Sequence, residues 1–173
     1  SVRSIYGVNP NGRVVENTHL SWRSPAPWKG KQRLIKFDLT TGEKTTIEPF
    51  DKEGGGIIAP PVNIPEFKMS IAWDSINGGL AGISTIDKQL KVSWHLDVRP
   101  SMQPVVFPES AELVINNFEN GEDELIVVDI ASGELLSQVK VNSKLANGMF
   151  LTPGFSRDIF YCTTGTFSKV TWS

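Results

Sequence analysis

Two histidines, one cysteine and a few clustered carboxylates are the residues of this chain whose types could carry chemistry. His19 and His95 each lie within three residues of a tryptophan, in His19-Leu20-Ser21-Trp22 and Trp94-His95. Such imidazoles could meet at a metal, or exchange protons with Asp74 or Asp97, but no carboxylate stands at ligand spacing from either one. No metal ligand set can therefore be assigned. The acidic run Glu119-Asn120-Gly121-Glu122-Asp123-Glu124 offers oxygen ligands to a cation such as calcium, without the spacing of a helix-loop-helix calcium site; the competing reading is a solvated hairpin loop. Gly54-Gly55-Gly56 looks like a phosphate cradle, yet it leads into Ile57-Ile58-Ala59-Pro60-Pro61 rather than a helix, so a connecting loop is expected. No Gly-x-Ser-x-Gly elbow and no Cys/His zinc spacing occurs. Cys162, in an apolar run beside Tyr161, reads as a small buried hydrophobe, and a single cysteine excludes an intramolecular disulfide.

These residues must be positioned by a repeated β-hairpin. Leu34-Ile35-Lys36-Phe37-Asp38-Leu39-Thr40-Thr41-Gly42-Glu43 returns as Leu125-Ile126-Val127-Val128-Asp129-Ile130-Ala131-Ser132-Gly133-Glu134, identical at five of ten positions. In each copy an Asp accepts local backbone N–H groups and a Gly supplies the positive φ that closes a short loop. Asp38 and Asp129 are thus turn-formers rather than catalytic acids. The copies lie 91 residues apart, room for two units of roughly 45 residues. Gly82 to Trp94, with Asp87 at the turn, fits the intervening unit. A fourth reads as strand Asp158 to Thr164, turn Gly165-Thr166 and strand Phe167 to Trp172. In the third unit Pro104 to Phe107, a turn at Pro108-Glu109-Ser110 and Glu112 to Asn117 supply two further strands.

Four short strands per unit of this length predict an all-β fold: a β-propeller or half-propeller of about four blades, each a four-stranded antiparallel sheet. The expected organisation is one domain over residues 1–173, with approximate blades 1–50, 51–98, 99–141 and 142–173, the last without its outer strand. No stretch of twelve residues keeps a helical period with caps; the longest helix candidate, Ser143 to Met149, is interrupted by Asn147-Gly148.

The run from Trp94-His95-Leu96-Asp97 through Gln103-Pro104-Val105-Val106 and Glu112-Leu113-Val114-Ile115 to Asp129-Ile130-Ala131-Ser132-Gly133-Glu134-Leu135-Leu136 resembles the repeats of quinoprotein-like β-propellers. That group includes pyrroloquinoline quinone dehydrogenases, surface-layer repeat proteins and outer-membrane assembly lipoproteins. The resemblance is good over 94–140, fair over 31–50 and weak elsewhere, and it implies a fold rather than an activity. Its quinone enzymes hold their cofactor and a calcium ion at the ring centre, many against a vicinal disulfide, which one cysteine cannot form. No cofactor is therefore expected, and the non-catalytic members are the better comparison. The resemblance also implies a cell-envelope or secreted location. Its propellers usually have seven or eight blades, so four units imply a fragment, a compact four-bladed ring, or half-propellers that pair as a homodimer. Strand 3–8 could instead close a ring by pairing with the last blade.

A formal charge of −2 and a pI near 5.7 argue against nucleic acid, and Lys29, Lys31, Arg33 and Lys36 read as a solvated strand edge. No apolar run is long enough for a transmembrane helix. The first functional reading is a non-catalytic binding or scaffolding module for a protein or small-molecule ligand. Its candidate contacts are Trp22 and Trp28, in loop-rich segments, with His19 and His95. Trp73, in strand Ser70-Ile71-Ala72-Trp73, is expected to pack between blades. The alternatives are an enzyme with a metal- or quinone-dependent site at the ring centre, and a self-assembling surface repeat.

Overall fold

A computed structural model describes residues 4–8, the backbone alone, and 31–53, 60–86, 89–141, 150–163 and 165–173. They form four antiparallel sheets in chain order. The first contains β1 (Ser4–Val8), β2 (Leu34–Asp38) and β3 (Lys44–Ile47). The second contains β4 (Val62–Ile64), β5 (Met69–Trp73), β6 (Leu80–Ser84) and β7 (Lys91–Leu96). The third contains β8 (Val105–Phe107), β9 (Glu112–Glu119), β10 (Glu122–Asp129) and β11 (Leu135–Val141). The fourth contains β12 (Phe150–Pro153), β13 (Asp158–Cys162) and β14 (Phe167–Thr171). In every sheet each strand pairs with the one before it, so each is a meander. The helix candidate at 143–149 and the triglycine at 54–56 lie outside the described residues.

The central strands are apolar on both faces because both faces are covered. On β5, Ile71 and Trp73 point toward the third sheet while Ala72 points toward the first. On β10, Ile126 and Val128 meet the second sheet, whereas Leu125 and Val127 meet the fourth. Three apolar clusters result, joining the first sheet to the second, the second to the third and the third to the fourth. Trp73 is buried in the middle one. No cluster among the described residues joins the fourth sheet to the first. Serial meanders stacked face to face make this an all-β, propeller-type architecture.

A second repeat, unread in the sequence, turns the chain between the first two strands of the middle sheets. Pro65–Phe67 and Pro108–Ser110 are single 3-10 turns, each followed by a left-handed residue, Lys68 (φ 49°) and Ala111 (φ 58°). The carbonyls of Lys68 and Ala111 then accept the N–H of Thr85 and Ile130, both at 2.8 Å. Proline at the start presets φ for the turn in both copies.

Two expectations change. The N-terminal strand pairs with β2, from Ser4↔Asp38 to Val8↔Leu34, inside the first sheet and not with the last. The acidic segment is not a polar loop: β9 runs through Glu119 and β10 begins at Glu122. Asn120 (φ 54°) and Gly121 (φ 81°) make the two-residue turn that suits a right-twisted hairpin.

Trp94, only 8% exposed, plugs the second sheet against the third. It lies over Gly82, its cross-strand partner, and its Nε1–H donates to the Ile130 carbonyl at 2.9 Å. A Cβ on Gly82 would stand 2.2 Å from the indole, and one on Gly133, across the interface, 2.6 Å. Because the hydrogen bond holds the ring in place, Gly82→Ala is expected to cost about 1–3 kcal/mol through overpacking. Urea unfolding followed by tryptophan fluorescence checks this, and an unchanged midpoint would show that the plug can move.

Candidate functional site

Three Asp-x-x-x-Gly turns consume Asp38, Asp74 and Asp129, each at the end of a strand. Asp129 Oδ1 accepts the Ser132 N–H at 2.7 Å and its hydroxyl at 2.8 Å, and the Asp129 carbonyl accepts the Gly133 N–H at 2.9 Å. Asp38 does the same with the N–H groups of Thr40 and Thr41 and with Gly42. Asp74, a candidate acid in the enzyme reading, proves to be a third copy of this turn. Its Oδ1 accepts from Ile76 and Asn77, both at 2.9 Å, and the Asn77 amide reaches its Oδ2 at 3.1 Å. The signal was present in Asp74-Ser75-Ile76-Asn77-Gly78, but this copy joins β5 to β6 rather than the last two strands of its sheet, so it falls out of phase with the other two.

His95 stands close to this turn. It is exposed on β7, the edge strand opposite β4, with its ring edge-on to Phe50 at 5.7 Å. Lys52 bridges the Asn77 carbonyl at 2.9 Å and the exposed Asp97 carboxylate at 3.5 Å. The structure thus gathers His95, Asp97 and the Asp74 turn at one end of the second sheet, with Asp74 turned inward to its own loop. His19, Trp22 and Trp28 lie outside the described residues. Of the basic cluster, Lys31 pairs with Asp51, Arg33 with Glu48 at 2.8 Å, and Lys36 reaches the Thr85 carbonyl at 3.5 Å.

The carboxylates of the acidic segment diverge, because alternate residues of β10 face opposite ways. Glu122 pairs with Lys140 at 3.0 Å and Glu124 accepts from Asn117 at 3.2 Å, while Asp123 is buried toward the fourth sheet. There Asp123 accepts the Tyr161 hydroxyl at 2.6 Å and the Asn116 amide at 2.8 Å. Asn116 also accepts the N–H groups of Ser101 and Met102, both at 3.0 Å, and Asn117 accepts that of Arg99 at 2.8 Å. Burial, then the hydrogen bond to Asp123, pushes the Tyr161 hydroxyl well above its ordinary range. The segment between the second and third sheets is thereby tied to β9, and β10 to β13. The sequence clue was the Asn116-Asn117 pair following the apolar Leu113-Val114-Ile115 in β9, with partners 7 to 18 positions away.

A second cross-sheet device centres on the buried Glu112 at the start of β9. Arg157 grips both its oxygens, Ser110 Oγ donates at 2.8 Å and Trp172 Nε1 at 3.2 Å, while the guanidinium lies 5.4 Å from the Trp172 ring. Arg157 foremost, then Ser110 and Trp172, hold the Glu112 carboxyl down at about 2 against burial, which opposes them. Asp158, also buried, is lowered first by Lys169 at 2.7 Å and then by the Ser156 N–H. Among the described residues no three His, Cys, Asp or Glu side chains are grouped as metal ligands, and no helix is long and apolar enough to cross a membrane.

A groove of about 300 Å³ runs between β11 and β14, with Leu125 and Val127 on its floor.

No protein-family model matches the chain. No curated protein matches it either. Among solved structures it is similar to a europium-containing methanol dehydrogenase, at 9% identity and a TM-score of 0.43, over 68% of this chain and 23% of that one. It is similar to the Pyrococcus horikoshii acylaminoacyl peptidase at 14% identity and a TM-score of 0.49, over 83% and 28%. The β-propeller domain of the Trilobed protease from Pyrococcus furiosus matches at 11% identity and a TM-score of 0.44, over 84% and 52%. The chain thus spans between about a quarter and about half of these solved chains. At such identities and scores no activity follows, and the fold rests on the sheet topology above.

Because Glu112 ionises below its usual 4.5, the unfolded chain takes up a proton that the folded one refuses. The stability this contributes is complete above pH 4.5 and drains away as the pH falls toward about 2. Glu112→Gln is expected to flatten the loss of stability over that window, as read from urea midpoints along a pH series; equal slopes would assign acid sensitivity elsewhere. Tyr161→Phe, which leaves a buried Asp123 oxygen short of a donor, is expected to cost about 1–3 kcal/mol in the same assay at neutral pH, and no change would show that solvent replaces the hydroxyl.

Proposed function

We propose that this chain is a non-catalytic binding and scaffolding module of the quinoprotein-like propeller type, whose blades associate with a second copy to extend the ring. The observation that carries this reading is the outward face of the fourth sheet. Phe150, Cys162 and Phe167 stand in cross-strand register on one face, with Phe160 stacked 5.5 Å from Phe167. Ile159 and Tyr161, one residue out of phase, occupy the opposite face in the core shared with the third sheet. Phe150 and Phe167 are 61% and 70% exposed, on the kind of face that each middle sheet packs against a neighbour.

The polar chemistry supports the same reading. The buried carboxylates Asp74, Glu112, Asp123 and Asp158 are all engaged in turns or in links between strands and sheets. A site poised for acid-base work would instead aim perturbed groups into a cleft. A cell-envelope or secreted location accords with the family resemblance and belongs to this proposal.

Light scattering over a concentration series is expected to give a dimer for the wild-type chain and a monomer for Phe167→Ser, whose exposed site leaves the core untouched. A wild-type monomer at every concentration would remove the second copy as partner.

A further inference from the structure

Among the described residues, one place where the repeat puts a strand holds none. In the second and third sheets the third strand is flanked by a fourth, β7 or β11, whereas β14 is an edge strand of its sheet. The groove of about 300 Å³ lies beside β14, between Val170 and Trp172 on one wall and Ser137 and Val139 of β11 on the other. Leu125 and Val127 on its floor belong to the core between the third and fourth sheets, so the groove continues an interface already formed within the chain. Its uncovered wall shows the consequence: Val139 is 48% exposed, while Trp94 on the corresponding strand of the second sheet is buried.

The edge is also chemically open. The Thr163 N–H donates to the Thr166 carbonyl at 2.8 Å, which fixes the alternation along the hairpin. Tyr161↔Ser168 and Ile159↔Val170 are then the bonded pairs, and the N–H and C=O groups of Phe167, Lys169 and Thr171 point away from β13. An edge with no pairing strand among the described residues, beside a trough of mixed polarity that exposes Val139, fits main-chain pairing with side chains seated at alternate positions.

We propose that this groove binds an extended segment of a partner polypeptide, added antiparallel to β14, with apolar side chains at alternate positions against Val139. The inference rests on the binding-module reading, but it uses the opposite face of β14 from the phenylalanines. The chain supplies its own probe, since β11 fills the corresponding place in the third sheet: a fluorescein-labelled peptide of residues 134–142, with a second peptide carrying proline at position 139.

Fluorescence anisotropy should show saturable binding of the first peptide and none of the second. Thr171→Pro removes one outward N–H and no bond to β13, and is expected to weaken binding about tenfold. Val139→Glu, on the exposed wall, should abolish it. Hydrogen exchange should show the peptide slowing the amides of Phe167, Lys169 and Thr171. Absence of binding at millimolar peptide, or binding that Val139→Glu leaves intact, overturns the proposal. A dimer of the chain that Val139→Glu dissociates would also overturn it, assigning the groove to a second copy. A dimer lost in Phe167→Ser together with no peptide binding would sink the groove alone and leave the module reading in place.

Discussion

Burial on both faces is the constraint on which the rest of this structure depends. A sheet such as β4–β7 carries Ile71 and Trp73 on one side and Ala72, Ala81 and Ile83 on the other, so it cannot satisfy itself alone. It must lie between two neighbours, and each neighbour inherits the same requirement. Where a face of the last sheet is left without a neighbour among the described residues, Phe150 and Phe167 are exposed. Stability and interaction surface are therefore two aspects of one pattern.

Stacking alone would let the sheets slide, because apolar contact has little direction. The polar groups at the interfaces supply it. Trp94 donates to Ile130 across the second interface, and Asp123 with Tyr161 and Glu112 with Arg157 cross the third. Each such group is satisfied only at one relative position of its sheets, and a slip would bury it unpaired. This explains why carboxylates such as Glu112 and Asp123 occur inside this protein. Their hydrogen bonds across the interfaces mark registration between sheets, and they sit near strand ends where a meander leaves backbone and side-chain donors together.

The same reasoning accounts for the recurring aspartates. The aspartates that recur at regular spacing are the hydrogen-bond acceptors of short hairpins, a role that needs a carboxylate or amide but no proton transfer. Among the described residues, the last sheet offers backbone and apolar surface as well: one face, one strand edge and the trough beside it. Those are the surfaces on which the proposed second copy and added strand would dock.

Much of the fold was legible in the residues themselves. Asp38 and Asp129 with their glycines announced two hairpins, and alternation and turn residues located strands such as Glu112 to Asn117 and Phe167 to Trp172, because these depend on neighbours within about ten positions. The third aspartate turn and the paired 3-10 turns were written equally plainly but out of phase with the first repeat. The partners were another matter. Whether Ser4–Val8 joins β2 or the last sheet, whether Asp123 faces a cation or Tyr161, and whether Trp94 meets solvent or Gly133 all depend on contacts between residues from about thirty to forty positions apart. Periodicity records which face a side chain takes and not what arrives there, so local pattern determined the strands and only the stacking of the sheets decided their neighbours.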